Sequence, residues 1–236
     1  MFDNSLINPA ALFEVSVPIH RLPEVLDMRS PDTWGLDDKY QIPAIHVLNT
    51  QNSRRTSIRC GWNDQGLFLA CRLTHKIPSG SQSPYSLKLE LAVHSRYSRD
   101  LRTRDDFSTH LVFDLRGPKF VDRIEVECQE TTQAAFNRLP PQTQNAPPTP
   151  PGSYAAAHRR VDELMFWISV RTEQLRKFRP SEFPDIALGL LAAEPPTRLL
   201  SLAQSGVPDF LSFPQSWFHF RCTEESPERH ALARPQ

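Results

Sequence analysis

Asp105 and Asp106 stand side by side in RTRDDFSTHLVFDLRG, ahead of a run that alternates apolar and polar residues. Two carboxylates can act as an acid–base pair or as hard oxygen ligands for a cation. Paired-carboxylate hydrolysis needs the two groups to converge across a cleft, at about 5–10 Å. Sequence neighbours on a strand diverge instead, because successive side chains point to opposite faces. A calcium site takes about 6–8 oxygens, and no DxDxDG pattern accompanies the doublet. It therefore reads as turn chemistry, with Asp106 able to cap the backbone where a strand begins.

The other chemistry-bearing residues are dispersed. The eight histidines show no HxH or HExxH spacing, so metal ligation is not indicated. His94 and His110 fall on the polar faces of two adjacent strand candidates and could be neighbours. A haem would need a histidine or methionine pair across a pocket; Met165 with a histidine is conceivable but is not the expectation. The expectation is no metal and no cofactor. Cys60, Cys71, Cys128 and Cys222 form no CxxC pair. Each lies in an alternating run at an inward position, as a buried free thiol would. With 8 glycines in 236 residues, the phosphate-cradling loops and nucleophile elbows of common enzymes are missing. The sequence does not read as an enzyme.

Charge excludes two further classes. Lys plus Arg is 27 and Asp plus Glu is 27, so no electrostatic footprint exists for nucleic acid or an anionic membrane. No apolar run is long enough to span a bilayer, and the N-terminus lacks the pattern of a secretory signal. A cytoplasmic protein is expected.

The elements that must position any site are strands. Period-two alternation runs through FEVSVPIH, TSIRCGW, LFLACRLTH, SLKLELAVH, STHLVFDLRG, KFVDRIEVECQE, LMFWISVR and SWFHFRC. TSIRCGW and LFLACRLTH, joined at NDQG, form the best hairpin signal. STHLVFDLRG and KFVDRIEVECQE, joined at Gly117-Pro118, read as a second hairpin. IALGLLAA is apolar on both faces, as a strand between two layers is. From Thr131 to His158 alternation stops, and Pro140 to Pro151 holds six prolines in twelve residues. That stretch reads as a disordered Pro-rich loop, 131–158, which is either a tolerated insertion or a docking segment for a proline-recognising domain. The whole predicts an all-β fold, an antiparallel β-sandwich of jelly-roll type. It is one domain over 1–222, with a flexible tail at 223–236.

The order of segments resembles the family-nine carbohydrate-binding modules and the related DOMON-like domains. RCGWNDQGLFLACRLTH is similar to that family's "wd..gLYla..v.d" hairpin. RDDFSTHLVFDLR is similar to its "gDsvel.id.r" segment, LMFWISVRTEQL to a late strand before a "pw..L" turn, and IALGLLAAE to "igfn..v.D". Together they span roughly residues 30 to 222. The chain departs from the pattern where the family carries an aromatic before its acidic residue, since Arg104 stands there. The resemblance implies a β-sandwich, with a sugar held between two tryptophans in the carbohydrate binders and a haem on axial side chains in the redox-active relatives.

Trp62 shares a face with Ile58 and Cys60, which marks it as core, and Trp34 sits in a turn-rich loop. Trp167 and Trp217 lie opposite the most apolar faces of their strands. They are the candidate stacking platforms, with Arg171 and Arg221 on the same faces as hydrogen-bond donors. The function expected is a non-catalytic binding module whose partner is a carbohydrate. The alternative is an intracellular structural or protein-interaction domain with no sugar site.

Overall fold

The computed structural model describes residues 16–23, 38–43, 56–74, 85–97, 105–117, 124–128, 153–159, 163–195, 197–203, 210–212 and 214–224. Along this chain run β1 (Val17–Arg21), β2 (Thr56–Asn63), β3 (Gly66–Thr74), β4 (Tyr85–His94), β5 (Ser108–Gly117) and β6 (Ile124–Cys128). They are followed by β7 (Ser153–Arg159), β8 (Glu163–Arg171), β9 (Asp185–Glu194), β10 (Thr197–Leu202) and β11 (Phe218–Thr223). Short 3-10 turns are the helical elements of the described residues. The protein is an all-β sandwich, as its alternation predicts.

The strands follow the order β5-β4-β9-β11-β1-β2-β3-β8-β7-β6, with β10 beside β9. Every pairing is antiparallel except those of β1, which lies parallel to both β11 and β2. β1 is thus the seam between a half built on β9 and a half built on β3 and β8. β5 and β6, at the two ends of the order, approach each other and nearly close the sheet.

The inward face collects the alternating apolar residues into one core. Ile58, Cys60, Trp62, Leu67, Leu69, Leu89, Leu91, Phe113, Phe166, Ile168, Leu188 and Phe220 all belong to it. Full burial of such side chains stabilises by roughly 1.5–3 kcal/mol each, which offsets the entropy of ordering many short strands. Cys60, Cys71 and Cys222 are buried and free, as their inward positions require. Burial pushes the Cys60 thiol up to about 12, so it carries no thiolate for chemistry at neutral pH.

Three sequence expectations change. β5 does not pair with β6. It pairs along its whole length with β4, Tyr85↔Gly117 through His94↔Ser108, while β6 pairs with β7. After Gly117 the chain crosses from one half to the other, and alternation alone cannot tell a crossover from a hairpin. The Pro-rich stretch also ends sooner than His158. Ser153–Arg159 is a strand between β6 and β8, unrecognised because its SYAAAH composition has low strand propensity. Residues 131–152 lie outside the described set. At the other end β11 continues to Thr223, one residue into the expected tail, because His20↔Thr223 closes the ladder to β1.

Two glycines carry steric demands of different hardness. A Cβ on Gly61 would meet the Leu22 side chain at 2.6 Å, and one on Gly66 would meet the Val170 carbonyl oxygen at 1.9 Å. Gly66 also has φ +154. A side chain can shift where a strand carbonyl cannot. Gly61→Ala should cost about 1–3 kcal/mol, the usual range for overpacking, and Gly66→Ala clearly more. Urea unfolding of both variants would rank them, and a Gly66→Ala protein as stable as Gly61→Ala would refute the assignment.

Candidate functional site

Three connections meet at one end of the sandwich. They are the end of β4 (residues 94–97), the turn into β5 (105–107), and the segment from β8 to β9 (172–184). Backbone bonds lock them together. The Ser95 N–H donates to the Phe107 carbonyl at 3.0 Å, and the Tyr97 N–H to the Asp185 carbonyl at 2.8 Å. The Arg176 N–H donates to Thr109 Oγ1 at 3.2 Å. Leu175 and Phe178 are buried in the core and anchor the third segment.

The aspartate doublet belongs to this end. Asp105 Oδ1 accepts the Phe107 N–H at 2.8 Å, and the Asp105 carbonyl accepts the Ser108 N–H at 3.1 Å. This is an Asx turn that starts β5. Asp105 makes it rather than Asp106, which is exposed.

Asp105 Oδ1 also faces His94 Nε2 at 2.8 Å. His94 Nδ1 accepts the Arg96 N–H at 3.2 Å. A backbone N–H can only donate, so the neutral ring carries its proton on Nε2 and gives it to Asp105. Both nitrogens are engaged and the ring is buried, so this pair offers no base to a substrate. Burial holds the His94 pKa below the usual histidine value, against the opposing pull of Asp105. Register sets His94 and His110 diagonally, since His94 faces Ser108 and His110 faces Ala92. His110 Nε2 lies 3.1 Å from Glu90. That bond, with Lys88 beyond it, lowers the Glu90 carboxyl to about 2.

Arg96 is the centre of the exposed part. Its guanidinium lies over the Phe183 ring at 3.7 Å and the Phe107 ring at 4.4 Å. Lys177 Nζ sits over Phe107 at 4.7 Å. Phe107, Phe183 and Arg96 are half-buried and Lys177 is exposed. Buried polar atoms collect in the same segments. Ser95 Oγ, Arg96 Nε and Gln174 Oε1 have no hydrogen-bond partner among the described residues. Beside them His219 pairs with Asp185 at 2.9 Å and stacks on Tyr97 at 4.1 Å.

The residues singled out by the sequence lie elsewhere and apart. Trp167, 6% exposed, is paired with Ala70 on β3 and Ala156 on β7 and packs with Leu22, Tyr40, Phe68 and Tyr154. Trp217, 1% exposed, packs with Ala92, Ala187, Ala203 and Leu211. Both sit on the outer face, as read, but over floors of alanine that let them sink. Neither offers a free ring. Arg171 and Arg221 are exposed, on β8 and β11. Three strands separate β8 from β11 in the sheet order, and the outer faces of packed layers point away from each other. The four residues do not make one site. Among the described residues no group of three His, Cys, Asp or Glu could hold a metal ion.

Phe107 was visible in the sequence as the residue after the doublet, but Arg96, Lys177 and Phe183 were not. They come from separate connections: the β4–β5 pairing brings Arg96 to Phe107, and the β4–β9 pairing with the Arg176–Thr109 bond brings the β8–β9 segment.

Acid should expose both histidine systems in turn. Unfolding frees His94 to take a proton that the native site resists, so stability falls as pH drops below about 6.5. The low Glu90 pKa stabilises above the ordinary glutamate value, and that part is lost as pH falls from about 4.5 toward about 2. Urea unfolding against pH should show both losses. His94→Gln should flatten the upper one alone and Glu90→Gln the lower one alone. A pH profile unchanged in both variants would refute the assignment.

No protein-family model matches the chain, and no curated protein matches it. Among solved structures it is similar to a carbohydrate binding module family 9 from Caldicellulosiruptor kristjanssonii in complex with glucose. The TM-score is 0.50 at 10% identity, covering 90% of this chain and 98% of that one. A family 9 module of that organism in complex with cellotriose gives 0.49 at 10% identity, covering 94% and 99%. At this identity the likeness is one of fold: the chain has the β-sandwich architecture of those modules over most of its length.

Proposed function

We propose that the chain is a non-catalytic binding module that takes a carbohydrate at the end of the sandwich formed by residues 94–97, 105–107 and 172–184. The observation that carries this reading is Arg96 clasped between the half-buried rings of Phe107 and Phe183. Sugar recognition needs flat apolar surface for the C–H face of the ring and fixed donors for its hydroxyls. This end supplies both, on connections held by a rigid sheet. The sandwich shared with modules that were solved with glucose supports it.

The burial of Trp167 and Trp217 favours a second reading. A sandwich of this type whose tryptophans serve the core can be a protein-interaction domain with no sugar site.

Calorimetric titration against neutral and acidic mono-, oligo- and polysaccharides separates the two. Saturable binding is expected, weakened about tenfold or more in Phe183→Ala, since stacked aromatics are typical binding anchors. Trp167→Ala and Trp217→Ala should instead lower stability by about 3–5 kcal/mol while the protein that remains folded still binds. A folded chain that binds no saccharide in the panel would sink the carbohydrate reading and leave the interaction domain.

A further inference from the structure

We infer that Arg96 and Lys177 make this end selective for a carboxylate-bearing sugar, a hexuronate, over its neutral counterpart; the inference rests on the carbohydrate reading above. Arg21, Arg59, Arg72, Arg116 and Arg179 are all paired with carboxylates. Arg96 and Lys177, like Arg171, Arg176 and Arg221, have no carboxylate partner among the described residues, but of these five only Arg96 and Lys177 lie over aromatic rings. Of the carboxylates in these segments, Asp105 is engaged by His94 and Glu182 by Arg179 at 3.3 Å.

What occupies the two cations is aromatic surface. Arg96 lies over Phe183 and Phe107, and Lys177 shares Phe107. Cation–π contact of this kind is worth roughly 0.5–1 kcal/mol at an exposed site, and it leaves the donors of the guanidinium unsaturated. Arg96 Nε is buried with no hydrogen-bond partner among the described residues, an arrangement that costs stability unless something accepts from it. A neutral pyranose can stack only on ring surface that these cations leave uncovered. A uronate pairs with them where they are. The planar guanidinium fork matches a carboxylate in two parallel bonds.

A second observation falls on Lys177 itself. Its φ is 52, and among the described residues it is the one non-glycine with positive φ. A left-handed conformation costs a side-chain-bearing residue roughly 1–2 kcal/mol, and glycine would remove the cost. Strain of this kind collects at binding sites. Here it sets an ammonium above the ring that Arg96 also uses.

Charge distinguishes a carboxylate from a phosphate. The three segments hold four cations, Arg96, Arg176, Lys177 and Arg179. They hold four carboxylates, Asp105, Asp106, Glu173 and Glu182. Arg179 is paired with Glu182, and Arg96, Arg176 and Lys177 have no carboxylate partner among the described residues; a surround balanced in formal charge suits one added negative charge better than two.

The test is calorimetry on the whole chain with galacturonate oligosaccharides and galactose oligosaccharides of equal length. Poly-glutamate and galactose 6-phosphate serve as anionic controls. The uronate should bind about tenfold tighter or more than the neutral oligomer, as an added charge-assisted bidentate contact would give, and should weaken in high salt. Arg96→Lys keeps the charge but removes the fork, and should bring the uronate down to the neutral level. Lys177→Gly should weaken uronate binding several-fold while unfolding no more readily than the parent, which keeps the test informative if Arg96→Lys does not fold. Equal affinity for uronate and neutral oligomers, unmoved by either variant, overturns the carboxylate preference and leaves the carbohydrate reading standing. Poly-glutamate or the sugar phosphate binding as well as the uronate overturns the assignment to a uronate. A folded chain that binds no saccharide overturns both readings.

Discussion

The continuity of the sandwich depends on one short parallel strand. β1 joins the half built on β9 to the half built on β3 and β8, and no other ladder among the described residues does so. Its bonds are reinforced from both sides. The Leu22 N–H donates to the Trp62 carbonyl at 2.7 Å, and Trp62 Nε1 donates to the Ile19 carbonyl at 3.1 Å. Asn63 Nδ2 donates to the Pro23 carbonyl at 3.2 Å. Arg21 pairs with Asp64 and Glu224 across the two halves and lies over the Trp62 ring at 5.4 Å. Pro18 would break a ladder needing its N–H. It is tolerated because it pairs with β11 at Arg221, before the β2 register begins at His20. A parallel strand cannot reach its neighbours by a tight turn. The seam therefore forms from contacts made late in sequence, Val17 to Phe220 and His20 to Thr223, and closes only after β11 exists.

Once the seam is closed, inner and outer faces are fixed, and the fate of each tryptophan follows. Trp62 points inward and joins the core. Trp167 and Trp217 point outward, where a large ring would be exposed on a flat sheet. Alanines remove the flatness. Ala70 and Ala156 flank Trp167 in register, and Ala92, Ala187 and Ala203 surround Trp217. Small residues under a large one let it pack at core density. The outer rings thus become two satellite clusters packed on the outer face of the sheet.

Most of the fold was legible because alternation marks an inner face directly. The facing of β2, β3, β4, β5, β8 and β11 follows from Ile58, Cys60, Leu69, Leu89, Phe113, Phe166 and Phe220 alone. Partnership was less legible. Only β2–β3, with Asp64 and Gln65 between the strands, carries a turn that specifies its pairing. Gly117-Pro118 looked equally turn-like and leads instead into a crossover. β7 was hidden because alanine contributes little to a strand pattern until its partners are known. The site was the least legible part. Asp105 could be read as a turn former from its own neighbourhood. The meaning of Arg96 and Lys177 depends on Phe107, and Phe107 reaches them through the β4–β5 and β4–β9 pairings, which no local pattern encodes.

The departures from good local chemistry gather at one end, although the buried Ser16 Oγ beside β1 and Ser153 Oγ on β7 also lack partners among the described residues. The seam is satisfied, with its arginine paired and the Ile19 carbonyl accepting from both Trp62 and Thr223 Oγ1 at 3.3 Å. The end at β4 and β5 holds, among the described residues, a guanidinium with no carboxylate partner, a lysine in a left-handed conformation, and the buried Ser95 and Gln174 oxygens without hydrogen-bond partners. Each costs stability, and together they form one neighbourhood anchored by Leu175 and Phe178. A sequence that agrees with its fold at most other levels, and disagrees several times at one end, supports the proposal that this end binds a ligand.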